Sequence, residues 1–150
     1  MKKTLAVLAM LLVCAASARA QRAHIGPHAG YDFDRNVGLA GGQISLPLSR
    51  YVELYPSVDV YFVDTGSLIG FNGDLKLRLQ PGQPLQLYVG GGVNALRAHA
   101  GSTSNTDTGW DLLGGIETRL GYSHPYIEGK VLEHNGSTFQ LMAGINITLF

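Results

Sequence analysis

The chain has 150 residues, with 11 basic against 11 acidic side chains and one cysteine. That balance leaves no electrostatic footprint for nucleic acid, and a lone cysteine rules out a disulfide scaffold. Charged residues make up 15% of the chain, below the roughly 25% of ordinary soluble domains, so a fully wetted surface is hard to build from it.

Residues 1–20 read as an export signal. Lys2 and Lys3 give a positive start, Leu5 to Val13 an apolar core too short to cross a bilayer, and Ala18-Arg19-Ala20 a small-x-small cleavage site. The competing reading, with Cys14 as the acylated residue of a lipoprotein signal, is disfavoured by Val13, which is larger than the residue that such processing wants. Cleavage after Ala20 leaves residues 21–150 as one domain of 130 residues with eight basic and eleven acidic side chains, a net charge of −3 and no cysteine. Thiol chemistry and cysteine metal sites are thereby excluded from the mature chain. Twenty glycines argue against long helices, no segment repeats at helical spacing, and no hydrophobic run is long enough for a membrane helix.

From Ile25 onward the chain alternates with a period of two, which predicts eight strands. The first, Ile25–Phe33, sets Ile25, Pro27, Ala29, Tyr31 and Phe33 against His24, His28 and Asp32. Ala40–Leu48 follows, with Gln43 and Ser45 on its polar side, and then Val52–Phe62, with Glu53, Tyr55, Ser57, Asp59 and Tyr61. Phe71–Leu79 sets its apolar residues against Asn72, Asp74, Lys76 and Arg78, and Leu85–Ala95 against Gln86, Tyr88 and Asn94. Trp110–Leu120 carries Asp111, Glu117 and Arg119 on the polar side, Ile127–Val131 carries Glu128 and Lys130, and Phe139–Leu149 carries Gln140 and Asn146. Thr118 is the only polar residue on the apolar parity, and Leu113 and Met142 interrupt the polar one.

Turn-compatible runs separate these segments: 34–36, 47–50, 64–67, 80–84, 122–125 and Asn135-Gly136, the last a strong hairpin signal. The one long polar connection is Ala98 to Gly109. Closing the third hairpin at Val63 and Leu68 sets Glu53 opposite Arg78, Tyr55 opposite Lys76, Ser57 opposite Asp74 and Asp59 opposite Asn72. Closing the sixth at Gly121 and Tyr126 sets Arg119 opposite Glu128 and Glu117 opposite Lys130. Both registers match opposite charges.

Alternation alone does not say which face meets solvent. A secreted ligand-carrying barrel turns its apolar face inward, whereas an outer-membrane barrel turns it to lipid. Phe33, Phe62, Phe71, Trp110 and Phe139 fall near the same ends of their strands, as an interfacial girdle requires; Tyr51, Tyr122, Tyr126 and Phe150 are candidates for the other rim. The expected fold is an all-β, eight-stranded antiparallel up-and-down transmembrane barrel. Seven acids, four bases, two histidines and three tyrosines then face an interior with little more room than its side chains fill. A plugged, ion-paired core follows, because unpaired buried charges are very costly.

The final strand, from Gln140 through Gly144, Ile145, Ile147 and Leu149 to Phe150, resembles the terminal targeting strand of bacterial outer-membrane barrels: glycine, alternating hydrophobics, a closing aromatic. It departs from the pattern at Met142, where a polar residue is usual, and at Phe150, which falls one residue beyond the alternation. Over residues 21–150 the chain is similar to small eight-stranded outer-membrane proteins, including the OmpA transmembrane domain, OmpX and opacity-type proteins. The resemblance implies an outer-membrane location, lipid and lipopolysaccharide as surroundings, and insertion by the barrel assembly machinery; a monomer is expected.

The expected function is non-enzymatic, either stabilising the envelope or presenting loops to the outside. The alternatives are an enzyme acting on lipid A or phospholipid and a secreted soluble ligand-binding barrel. Lipid A deacylases place His, Ser and an acid together on the lipid-facing wall. Here His134 and Ser137 are the nearest equivalent, and their spacing does not match the His-x-Ser of that family. His24, His28 and Asp32 share a face but read as satisfied inward polar groups. Gly90-Gly91-Gly92 reads as a bend, a bulge or room for Tyr88 and its neighbours, since no helix follows to make a phosphate loop. No residue is assigned a catalytic, cofactor-binding or metal-binding role, no cofactor is implied, and no nucleic acid is expected as a partner.

Overall fold

The computed structural model describes residues 22–149; the expected signal peptide at 1–20 and the terminal aromatic Phe150 lie outside them. Eight strands follow one another: β1 (His24–Asp32), β2 (Val37–Pro47), β3 (Val52–Tyr61), β4 (Ser67–Arg78), β5 (Leu85–Ala100), β6 (Thr103–Thr118), β7 (Ser123–Glu133) and β8 (Ser137–Thr148). Each pairs antiparallel with the next, and β1 pairs with β8, so the sheet closes with the up-and-down order. Closure leaves no free edge within the barrel wall.

The predicted faces hold. Of the apolar parity, Ile25, Val58, Val60, Leu75, Leu77, Leu87, Val89, Ile116, Ile127, Leu141, Ile145 and Ile147 are exposed, while every predicted inward residue is buried except half-buried Ser57 and exposed Arg119. This overturns the soluble-carrier alternative, which needs the opposite arrangement. Phe33, Phe62, Phe71, Trp110 and Phe139 are also exposed, and Phe33 touches both Tyr31 and Phe139, at centroid distances of 5.3 and 5.7 Å. At the opposite rim Tyr51 and Tyr122 are exposed and line the mouth, but Tyr126 is buried and turns into the barrel.

Four expectations need correction. In the β3–β4 hairpin Tyr61 lies opposite Leu68, so Glu53 faces Lys76 and Tyr55 faces Asp74, two residues from the charge-matched register. The chain leaves the ladder at Tyr61 because Val63 folds back onto it, its N–H donating to the Tyr61 carbonyl at 3.1 Å while its side chain joins an apolar cluster. In β6–β7 the shift is four residues: Glu117 faces Tyr126 and Leu113 faces Lys130. Gly121, at φ +65°, closes a tight turn between Leu120 and Ser123 where a longer one was expected, and β7 accordingly starts at Ser123. Third, Ala98–Gly109 is not a loop. Its residues continue the β5–β6 ladder to Ala100 opposite Thr103, with Gly101 at φ +60° in the turn. Exposed on both sides, that stretch has no apolar alternation to betray it. Fourth, strands run further at the loop ends than predicted, which adds Leu39, Leu96, Leu132 and Thr138 to the interior.

The triple glycine is neither a bend nor a bulge, since Gly90, Gly91 and Gly92 pair in unbroken register with both neighbouring strands. What it supplies is interior room. A Cβ on Gly92 would lie 2.5 Å from Asp74 Oδ1 and 2.8 Å from Asp74 Cα; one on Gly90 would lie 3.0 Å from Leu113 Cδ1 and 3.1 Å from Lys76 Cα. Gly114, by contrast, would bring its Cβ no nearer than 3.8 Å to the Tyr88 carbonyl oxygen. Gly92→Ala is therefore expected to cost about 1–3 kcal/mol through overpacking, and Gly114→Ala less than about 0.5. Equilibrium unfolding in lipid vesicles measures both, and equal effects would remove the steric account.

Candidate functional site

The chemistry-bearing side chains converge on the barrel axis in three layers. Nearest the end that carries both termini, Arg78 binds Glu53 at 2.6 Å and Glu117 at 3.3 Å, and its other nitrogen donates to Gln86 Oε1 at 2.6 Å. Glu53 also accepts from Tyr55 and Ser45, and Glu117 from Asn146, which in turn accepts from Gln43. One guanidinium thus serves two carboxylates. Its fork geometry suits this, because each nitrogen offers separate donors in a fixed plane.

In the middle layer Lys76 bonds to Glu128, and Lys130 donates to Asp74 at 2.5 Å. Both pairs join β4 to β7 across the lumen. Lys76 also lies over the Tyr55 ring, 3.9 Å from its centroid, with the Tyr88 and Tyr126 rings at 4.9 and 5.5 Å. The ammonium is held by one carboxylate and three aromatic faces, a combination that offsets the loss of water around it. Asp111, next to this layer, accepts from Asn94 at 3.0 Å; its second oxygen has no hydrogen-bond partner among the described residues.

Towards the loop end, His28 and Asp59 meet at 2.5 Å and Asn72 donates to Asp59 at 2.7 Å. Asp32 accepts from Arg35 at 2.8 Å and from Gln140 at 3.0 Å. Among them Leu39, Tyr61, Leu96 and Met142 form an apolar cluster flanked by Val37, Val63 and Leu68. Met142, the departure from the terminal-strand pattern, belongs to it.

The sequence-predicted candidates are not assembled as a catalytic centre. His24 packs on His124 at 4.8 Å between centroids, whereas His28 and Asp32 engage Asp59 and Arg35. At the loop rim Ser137 donates to Glu133 and not to His134, and both His134 nitrogens lack hydrogen-bond partners among the described residues. Burial and the nearby Arg35 hold the His134 pKa below its ordinary value. A nucleophile needs its base within hydrogen-bond reach, and that contact is missing here. Sequence reading missed His124, inside the expected turn 122–125, and set Tyr126, which closes that turn, at the rim; the continued polar parity His124, Tyr126, Glu128, Lys130 was the available signal.

A cavity of about 680 Å³ opens at the terminal end, lined by Arg22, His24, Arg50, Glu53, Arg78, Arg119, Tyr122 and His124 among others. Its floor is the Arg78 layer.

No protein-family model and no curated protein matches the chain in sequence. Solved structures match it in fold. The N-terminal β-barrel domain of Pseudomonas aeruginosa OprF superposes with a TM-score of 0.74 at 16% identity, over 85% of this chain and 96% of that one. Neisserial surface protein A gives 0.62 at 11%, over 85% and 95%. Ail of Yersinia pestis, in complex with the heparin analogue sucrose octasulfate, gives 0.64 at 11%, over 85% and 98%. The fold is that of small eight-stranded outer-membrane β-barrels.

Proposed function

We propose that this chain is a non-enzymatic integral protein of the bacterial outer membrane, exported by the signal peptide at residues 1–20 and inserted by the barrel assembly machinery. Its interior is plugged, and it works by bracing the envelope or by presenting its outer hairpins. The observation that carries the reading is the inversion of polarity: an apolar wall faces out all round, while seven acids and three of the four predicted bases are buried, those three bases paired with four of the acids. That arrangement suits hydrocarbon outside and little else. The plugged interior is supported by the three polar layers along the axis and by the apolar cluster packed among the groups of the loop-end layer. Closure without an exposed wall edge supports a monomer surrounded by lipid and lipopolysaccharide. An enzyme acting on lipid A or phospholipid gains no support from the separated His134 and Ser137.

The orientation puts both termini in the periplasm and the β5–β6 hairpin outside the cell. The expected mature chain is free of cysteine, so single cysteines report it cleanly. Ser102→Cys, in the tip of that hairpin, is expected to react with a membrane-impermeant maleimide on intact cells, and Gln83→Cys, in the β4–β5 turn, only after the outer membrane is opened. The reverse pattern would invert the orientation, and recovery of the unmodified protein as a soluble periplasmic species would end the membrane reading. A steady water-filled conductance in planar bilayers would contradict the plug.

A further inference from the structure

The chain's balanced charge conceals an axial asymmetry. At the terminal end, Arg22, Arg50 and Arg119 are exposed, and the turns at 48–51, 79–84 and 119–122 contain no acid. The acids nearest that mouth, Glu53 and Glu117, are buried and bound to Arg78. At the loop end Asp34, Asp64 and Asp107 are exposed and Glu133 is half-buried, against Arg35 and Arg97. The cavity of about 680 Å³ lies within the basic end. Three rim guanidiniums line it, and His24 and His124, whose rings meet at a tilt, form part of its wall. Among the described residues no carboxylate lies within 4 Å of the Arg22 or Arg119 side chains.

We propose that this mouth is a binding site for a phosphate-bearing anion. Guanidinium forks match phosphoryl oxygens in charge and geometry. A recessed cavity with low-dielectric walls and one sign of charge at its rim concentrates anions of the opposite sign. The volume admits a short polyphosphate or a lipid headgroup, two sources of one chemistry. Arg22 and Arg119 reach the anion from the rim, while Arg78, committed to Glu53 and Glu117, holds the floor. The membrane orientation proposed above decides only which compartment supplies the anion; binding to the purified barrel is independent of it.

The test is calorimetric titration of inorganic tripolyphosphate into the barrel in neutral detergent at low ionic strength, where rim charges are least screened. A parallel arm uses native mass spectrometry of the barrel with phosphatidylglycerol or phosphatidylcholine. Saturable one-to-one binding of tripolyphosphate, weakened at least tenfold in Arg22→Gln/Arg119→Gln and unchanged in Arg97→Gln at the opposite end, establishes a soluble anion as ligand. No tripolyphosphate binding, together with phosphatidylglycerol retention that depends on Arg22 and Arg119, assigns a headgroup phosphate. Equal losses in Arg97→Gln, which would reflect net charge alone, or binding in neither arm, overturns the proposal. Thermal unfolding of each variant identifies any that fails to fold, and single Arg22→Gln and Arg119→Gln variants then replace the double one.

Discussion

Arg78→Gln is expected to destabilise the barrel by about 3–5 kcal/mol, as removal of one member of a buried ionic group does when it strands the others. Two carboxylates depend on this one guanidinium, Glu53 at 2.6 Å and Glu117 at 3.3 Å, with the Arg78 side chain 5% exposed. Converting only Glu53 and Arg78 to Gln is not a neutral swap, because Glu117 then remains buried without its cation. The triple change Glu53→Gln/Arg78→Gln/Glu117→Gln removes every charge of the cluster and is expected to recover most of the loss. Folding titrations in urea with lipid vesicles measure all of these variants. Strictly additive losses would mean that the three groups do not act as one unit.

Val89→Arg is the second large effect. Val89 is 45% exposed on β5, midway between the Leu85 end and the Trp110 girdle, so its side chain reaches the centre of the hydrocarbon. In lipid, arginine there is expected to cost about 2–4 kcal/mol. In a soluble barrel the same half-exposed site would accept arginine within about 0.5 kcal/mol, the ordinary range for surface changes. A negligible effect in vesicles, with the variant otherwise folded, would deny that this wall meets lipid. Arg97→Gln, beyond the belt on the β5–β6 hairpin, is the matching control, with little change expected.

Both predictions depend on contacts that the sequence exposes unequally. The alternation from Ile25 to Leu149 set the strand number, the class of fold and nearly every inward residue, because side-chain direction along a strand depends only on parity. Exceptions fell where parity lacked an apolar partner to reveal it. His124 lay in an expected turn and Tyr126 at its close, Leu39, Leu96 and Leu132 lay beyond the expected strand ends, and the polar β5–β6 hairpin alternated in nothing. Arg119 failed differently, by standing past the end of β6 in the turn.

Registers escaped for a related reason. A slip of two or four residues leaves every side chain on its own face, so hydrophobic pattern permits all even registers alike, and matching charges between neighbouring strands chose wrongly for β3–β4 and β6–β7. The tight turn at Gly121 and the return of Val63 onto Tyr61 decided them. The ion pairs themselves also cross the lumen, Lys76 to Glu128 and Lys130 to Asp74 from β4 to β7. Sequence by itself determined that these charges share an enclosed face. Which charge neutralises which, and that Arg22 before β1 gathers with Arg50 and Arg119 from two separate turns at one mouth, was decided only when the sheet closed, because closure brings together strands that are never neighbours along the chain.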